Sequence, residues 1–307
     1  MNTWLITHPA CLEHDPGPDH PESVDRLRTT PSALEGSNFQ FLQRQEAPQA
    51  TIEQLARVHD REYIERVLAS IPEQGRYMLD NDTVVSPASG EAALRAAGAV
   101  CLAVDAVMSG EADRVFCAVR PPGHHAEADR AMGFCLFNNI AVGAAHARAV
   151  YKVRRVAIVD FDVHHGNGTA AIFEGRKGFF YLSSHQQPLF PDTGDPSKNR
   201  RQNIFNLALP PYTSGLDFRP VFQDELLREL DEFAPELIFI SAGFDAHYED
   251  PLANLRLNER DFGWITEEIV TIARRHSKGR VISALEGGYN LDALRRSVIA
   301  HVSALMG

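Results

Sequence analysis

Cysteine is scarce and scattered. Cys11, Cys101, Cys117 and Cys135 are the whole complement, and no two form a CxxC pair. That excludes a disulfide-stapled scaffold and a thiolate metal finger; Cys101 and Cys117 sit in apolar runs, as buried thiols do, which suits a reducing cytoplasm. Long hydrophobic runs are lacking too. None approaches the ~20 residues that cross a bilayer, and the opening MNTWLITHPA has neither the basic start nor the apolar stretch of a secretory signal. The expectation is a cytoplasmic protein with no membrane partner. Positive charge is in deficit, with 30 Lys plus Arg against 41 Asp plus Glu and a net charge of −11. Such a balance argues against wrapping nucleic acid and leans towards cationic substrates. Internal repeats, low-complexity tracts and interdomain linkers are also missing, so residues 1–307 read as one large domain.

What is present is an alternation. Apolar runs at 3–7, 39–44, 115–119, 156–159, 179–183, 203–207, 237–241 and 281–285 predict about eight strands. Between them, helical spacing is found at 52–68, 91–108, 140–150, 218–233, 262–276 and 291–305. A further helix begins at 23–28, where Thr30-Pro31 should interrupt it. This is the signature of an α/β fold, a mostly parallel sheet with helices on both faces. The loop HPACLEHDPGPDHPES (8–23) is too rich in Pro, Gly and Asp for regular structure, and its His8, His14 and His20 point to a functional loop.

The chain is organised around VAIVDFDVHHGNGT, residues 156–169. Its apolar start is a strand buried on both faces. Alternation along an extended segment then sends Asp160, Asp162 and His164 to one side. Two carboxylates and an imidazole at the end of a buried strand cost several kcal/mol or more if unpaired, so a cation is the natural compensation. Other polar groups fall at equivalent places. His124 and His125 follow the Pro-Pro-Gly turn after one strand, Asp245 follows another, and Tyr289 follows Gly287-Gly288 after the last. In open α/β sheets, ligands bind at that edge.

Asp162, His164 and Asp245 together would hold one divalent ion and leave a position open, as catalytic rather than structural sites do. Such an ion activates water and polarises a carbonyl. An imidazole at 124 or 125 can move the proton, and the Tyr289 phenol can donate to a developing oxyanion. The parts describe hydrolysis of an amide or related acyl bond. Singly, each has a plainer reading: an acidic turn, an ordinary histidine pair, an Asp capping a turn, a Tyr lining the core.

The motifs RPPGHHAE (120–127), GFCLFNNIAV (133–142), VDFDVHHGNGT (159–169), SAGFDAH (241–247) and EGGYN (286–290) resemble the zinc-dependent histone deacetylase family. More specifically, the chain looks like the class II branch and its bacterial relatives, the histone deacetylase-like amidohydrolases. The resemblance covers essentially the whole chain and implies the single-domain arginase–deacetylase fold. It implies Asp162, His164 and Asp245 as ligands of zinc, or of ferrous iron in its place. His125 becomes the general base and acid, and His124 its electrostatic partner, oriented by Asp160. Tyr289 is implied to polarise the scissile carbonyl. Phe134 and Phe190 are the channel walls around an acyl-lysine stem, Gly133 is the floor, and Arg26 lies near the acetate exit. Asp160, Asp162, His164, Ser183 and Ser184 match a structural potassium site built largely from main-chain carbonyls.

The departures are informative. Asn167 stands where class I enzymes carry Asp; it orients His125 without adding negative charge. Tyr289 is not replaced by His, so a competent enzyme is expected. Leu252 occupies the place where polyamine-selective relatives put a gatekeeping Glu, which argues for an acyl-lysine or similar secondary amide over an acetylpolyamine. The long insertion that the bacterial polyamine enzymes use to dimerise is missing, and the sequence leaves the oligomeric state open. Three alternatives stand beside this reading: an acetylpolyamine amidohydrolase, an arginase-like two-metal enzyme, and a non-catalytic acyl-lysine binding module. The second needs bridging acids where this chain has His164-His165 and Ala246-His247.

Overall fold

Short β-branched runs such as VAIV and LIFI become strands buried on both faces in the computed structural model, which describes residues 2–199 and 203–307. In chain order these are β1 (Thr3–Thr7), β2 (Gln43–Glu46), β3 (Tyr77–Met78), β4 (Val84–Val85), β5 (Arg114–Cys117), β6 (Val156–Asp160), β7 (Phe179–Gln186), β8 (Ile204–Leu209), β9 (Leu237–Ala242) and β10 (Val281–Leu285). Eight of them form one sheet in the order β2-β1-β5-β10-β9-β6-β7-β8, and β3-β4 is a separate antiparallel pair. Every pairing in the large sheet is parallel. All the carboxyl ends therefore lie on one edge.

The helices are α1 (Val24–Ala33), α2 (Ile52–Leu55), α3 (Arg61–Ala69), α4 (Ser89–Ser109), α5 (Asn139–Tyr151), α6 (Asn167–Phe173), α7 (Gly215–Val221), α8 (Arg228–Phe233), α9 (Glu259–His276) and α10 (Leu291–Met306). The crossovers from β5 through β8 run towards one end of the sheet, and those into β9 and β10 run back. Right-handed connections place the intervening helices on opposite faces: α4 packs on α5, and α9 packs on α10, which in turn meets α1.

Several sequence expectations are corrected. Pro31 does not interrupt α1; it lies inside the helix, two residues before its end. There the lost N–H is of little consequence, and the Thr30 hydroxyl donates to the Arg26 carbonyl at 2.9 Å. The strand expected at 39–44 lies at Gln43–Glu46, because Phe39 ends a 3-10 turn. The helix expected at 52–68 is two: after Leu55 the Arg57 and Val58 N–H groups bond carbonyls three residues back, and Asp60, whose N–H donates to the Ala128 carbonyl at 2.9 Å, begins the second. The helix expected at 218–233 contains a π segment, Phe222–Leu227. Helix α4 also meets the length and hydropathy of a membrane span, with 21 residues and a mean hydropathy of 1.6, but 67% of that window is buried inside the fold.

Candidate active site

Four neighbouring strands, β5-β10-β9-β6, deliver the polar residues to one place. Past the end of β6, the Asp162 carboxylate accepts the His164 N–H at 2.9 Å and the Gly287 N–H at 2.8 Å. Past β9, Asp245 accepts the Val163 N–H at 3.0 Å. These bonds leave one oxygen of each carboxylate 3.1 Å from His164 Nδ1. The ligand atoms of Asp162, His164 and Asp245 lie within 4.8 Å of one another, and all three residues are buried. A Cβ at Gly287 would collide with both carboxylates, so only glycine lets the backbone approach this closely.

Two buried carboxylates this near need positive charge. Burial, then the Asp162 carboxylate, pushes Asp245 up to about 7. Burial alone would depress His164, but its hydrogen bonds with Asp162 and Asp245 lift it to about 10. The imidazole is thus drawn to supply the charge itself. A divalent cation held by two carboxylate oxygens and one ring nitrogen answers the same demand, so the donor set fits the expected zinc or ferrous ion.

The two histidines after β5 are electrically opposite. His124 Nδ1 lies 3.0 Å from Asp160 Oδ2, which also accepts the Tyr181 hydroxyl at 2.9 Å. Burial opposes protonation of His124, but Asp160, Asp162 and Glu286 outweigh it and raise it well above its ordinary value. His125 Nδ1 lies 2.8 Å from Asn167 Oδ1. Burial, then His124 and His164, hold His125 well below the usual imidazole range. One imidazole is charged and its neighbour neutral, with ring centroids 4.1 Å apart.

A cavity of about 220 Å³ leads from the surface to these groups, lined by His124, His125, Gly133, Phe134, His164, Phe190, Leu252 and Tyr289 among others. The Phe190 ring stands 5.3 Å from His125, and Phe134 packs edge-on to Tyr289 at 6.0 Å. Larger surface grooves lie elsewhere, such as one of about 760 Å³ lined by Arg219, Trp264 and Arg274, but no cluster of metal-ligating groups faces them among the described residues. Burial first, and then the carboxylates around it, raise the Tyr289 phenol well above 10 against the pull of Arg26, so it keeps its proton. In the expected potassium set, Asp160 pairs with Ser183 across β6 and β7, and Ser184 follows, buried. The Ser183 hydroxyl is taken up by His185 at 2.9 Å.

Of the groups that hold this arrangement, sequence reasoning placed Arg26 near the site and missed the others. Arg120 donates to both oxygens of Glu22 and to the Cys11 and His14 carbonyls, tying the 8–22 loop to β5. Arg26 joins Glu22 at 2.9 Å and donates to the Gly288 carbonyl at 2.6 Å, with its guanidinium 4.9 Å over the Tyr289 ring. Glu286 accepts the Gly123 N–H at 2.7 Å and the His124 N–H at 3.2 Å. Asp250 accepts the Tyr289 and Asn290 N–H groups at 2.7 and 3.3 Å. Glu249, the other acid beside Leu252, pairs with Arg296 at 2.6 Å. Neither acid is therefore turned to the cavity, whereas Asp82 is one of its lining residues. Charge beside an apolar strand end was the available signal for Arg120 and Glu286; nothing local marked Glu22 or Asp82.

The profile described as the histone deacetylase domain matches residues 20–305. The histone deacetylase-like amidohydrolase of Pseudomonas aeruginosa is 40% identical over 88% of this chain and 73% of its own length. A probable deacetylase of Methanothermobacter thermautotrophicus is 40% identical over 99% and 91%. The chain spans 21% of type-2 histone deacetylase 2 of Dictyostelium discoideum, at 36% identity. Among solved structures, the HDA15 HD domain superposes with a TM-score of 0.91 at 31% identity, covering 99% of this chain and 88% of that one.

Proposed function

The chain belongs to the histone deacetylase family, and from that premise we propose that it is a metal-dependent hydrolase that removes acyl groups from acyl-lysine or a similar secondary amide. The observation that carries this reading is the meeting of the Asp162–His164–Asp245 triangle, a neutral and a charged imidazole, and a protonated phenol around one narrow cavity. Asp162, His164 and Asp245 would hold one divalent ion, zinc or ferrous iron, which when bound supplies an activated water and a polarised carbonyl. The remaining work belongs to side chains. His125, uncharged and held at Nδ1 by Asn167, presents Nε2 to take the water's proton and return it to the leaving amine. His124, kept cationic by Asp160, stabilises the negative charge that develops beside it. Tyr289 donates its hydroxyl hydrogen to the developing oxyanion. Phe134 and Phe190 grip the methylene stem above Gly133 and exclude water. Asp160, Asp162, His164, Ser183 and Ser184 are assigned to a potassium ion that would steady the buried carboxylates.

The test is metal analysis combined with turnover of acetyl-lysine peptides. One divalent equivalent is expected, with activity lost on chelation, and Asp245→Ala should lose both metal and turnover. Two equivalents in the site, or full activity after exhaustive chelation, would refute the reading. Absence of turnover on any acylated peptide, polyamine or small amide would move it to a binding module. A second reading, the acetylpolyamine hydrolase, is favoured by one observation, the presence of Asp82 among the residues lining the cavity. Leu252, which meets a stem without adding charge, favours the neutral substrate. Acyl-lysine peptide is expected to exceed acetylspermidine in kcat/KM; a tenfold preference for acetylspermidine would transfer the assignment.

A further inference from the structure

The neutral imidazole of His125 does not end at Asn167. Asn167 Oδ1 faces His125 Nδ1 at 2.8 Å, and Asn167 Nδ2 donates to Glu127 Oε1, also at 2.8 Å. The remaining contacts of Nδ2 are weak, the Met132 sulfur at 3.3 Å and the His125 carbonyl at 3.5 Å. Glu127 is itself fixed at both main-chain groups: its N–H donates to the Arg130 carbonyl at 2.9 Å, and its carbonyl accepts from His59 Nδ1 at 2.9 Å. His59 can donate there because its other nitrogen accepts the Asn138 N–H at 2.9 Å. Arg130 Nη2 lies 3.3 Å from the same Oε1 as a second donor.

An amide is ambiguous in a way that a carboxylate is not. Asn can turn either its oxygen or its nitrogen to a neighbour, and the two choices impose opposite tautomers on an imidazole. With oxygen towards His125, Nδ1 carries the hydrogen and Nε2 is the free base. With nitrogen towards His125, Nδ1 must accept, Nε2 carries the hydrogen, and the ring cannot take a proton where the cavity needs it. A carboxylate offers acceptors only. Glu127 therefore accepts only the nitrogen of Asn167, and that leaves the oxygen for His125.

We propose that Glu127 is a positioning residue that locks the Asn167 amide and, through it, the tautomer of His125. The inference rests on the hydrolase reading, with His125 as base. The test uses the metal-loaded full chain with an acetyl-lysine peptide and three variants. Glu127→Ala removes the lock and is expected to lower kcat roughly 10- to 100-fold, the range for outer partners of a catalytic centre, with KM unchanged. Glu127→Lys replaces the acceptor with a donor, favours the flipped amide, and should lose at least as much. Adding Asn167→Asp to Glu127→Lys restores an acceptor towards His125 and a partner for the lysine, so the double variant should recover activity above the single. Wild-type kcat in Glu127→Ala and Glu127→Lys would overturn the proposal, as would a double variant no better than Glu127→Lys. Imidazole ¹⁵N shifts of His125 give a reading independent of turnover. They should report Nδ1–H in the wild type and a growing share of Nε2–H in the two single variants; an unchanged tautomer overturns the lock. If the wild type turns over no substrate while the shifts behave as stated, the hydrolase reading fails and the lock stands.

Discussion

Tyr289 shows how far a single side chain depends on others. It sits after the Gly287-Gly288 turn, with its own N–H held by Asp250 and its ring under Arg26. Because the phenol stays protonated, it is a donor at neutral pH. Tyr289→Phe should keep fold and metal while kcat falls by roughly two to three orders of magnitude, the usual loss of an oxyanion donor. Steady-state kinetics on a peptide substrate decide it, and an unchanged kcat removes the assigned role. At this scale the sequence was most legible where a residue's type and its place after a strand both carried meaning, as for Asp162, His164, Asp245 and the histidine pair. It was least legible for Glu127, Asp250 and Asp82. Their partners are set by loop paths, and an acid in a polar loop has no local sign of what it will bind.

Among the elements, α4 is packed closely against a passing segment of main chain. Residues 47–50 lie along it, with the Ala50 N–H on the Leu94 carbonyl at 2.8 Å and Arg95 Nη1 on the Ala47 carbonyl at 2.9 Å. A Cβ at Gly98 would run into the Pro48 carbonyl and the Ala50 nitrogen, which are main-chain atoms and cannot swing aside. Gly98→Ala normally favours a helix by up to about 1 kcal/mol. Here overpacking should reverse the sign and destabilise by about 1–3 kcal/mol, measured as a lower urea midpoint with an unchanged slope. Helical periodicity alone could not have located this contact, because Gly98 lies in an Ala-rich run where any small residue looks alike. The same limit explains the split between α2 and α3. The apolar spacing across 52–68 is continuous, and the break comes from main-chain bonding, with the Arg57 and Val58 N–H groups reaching carbonyls three residues back and Asp60 starting the second helix.

The whole molecule carries a set of buried neutral histidines. Burial pushes His14, His59 and His185 down to about 4 and His301 to about 3. Unfolded, each protonates near 6.5, so the unfolded chain binds more protons as pH falls below that value. Stability is full above about 6.5 and is lost towards 4, at about 1.4 kcal/mol per pH unit for each such group. Glu286 and Asp245, each lifted to about 7 with burial as the first cause, act in the opposite sense, but the four histidines outnumber them. Urea unfolding at pH 7, 6 and 5 should show a steep decline, and a flat profile would mean that these rings are not neutral in the fold. The sheet itself was legible as an alternation of buried runs with helical spacing. The order of its strands was not, because neighbours such as β5 and β10 are far apart in the chain.

That order has a consequence for how the molecule comes into being. Among the described residues β10 is the last strand in chain order, yet it lies between β5 and β9. Until residues 281–285 leave the ribosome, both neighbours carry open edges in the middle of the fold, the kind of surface that chaperones cover and that seeds aggregation. Arg26, made early, waits for a carbonyl 262 positions later. Contacts of such span close slowly. The nascent chain therefore has no assembled site until residues 281–289 are made, and the sheet and the site are completed together by the insertion of one strand.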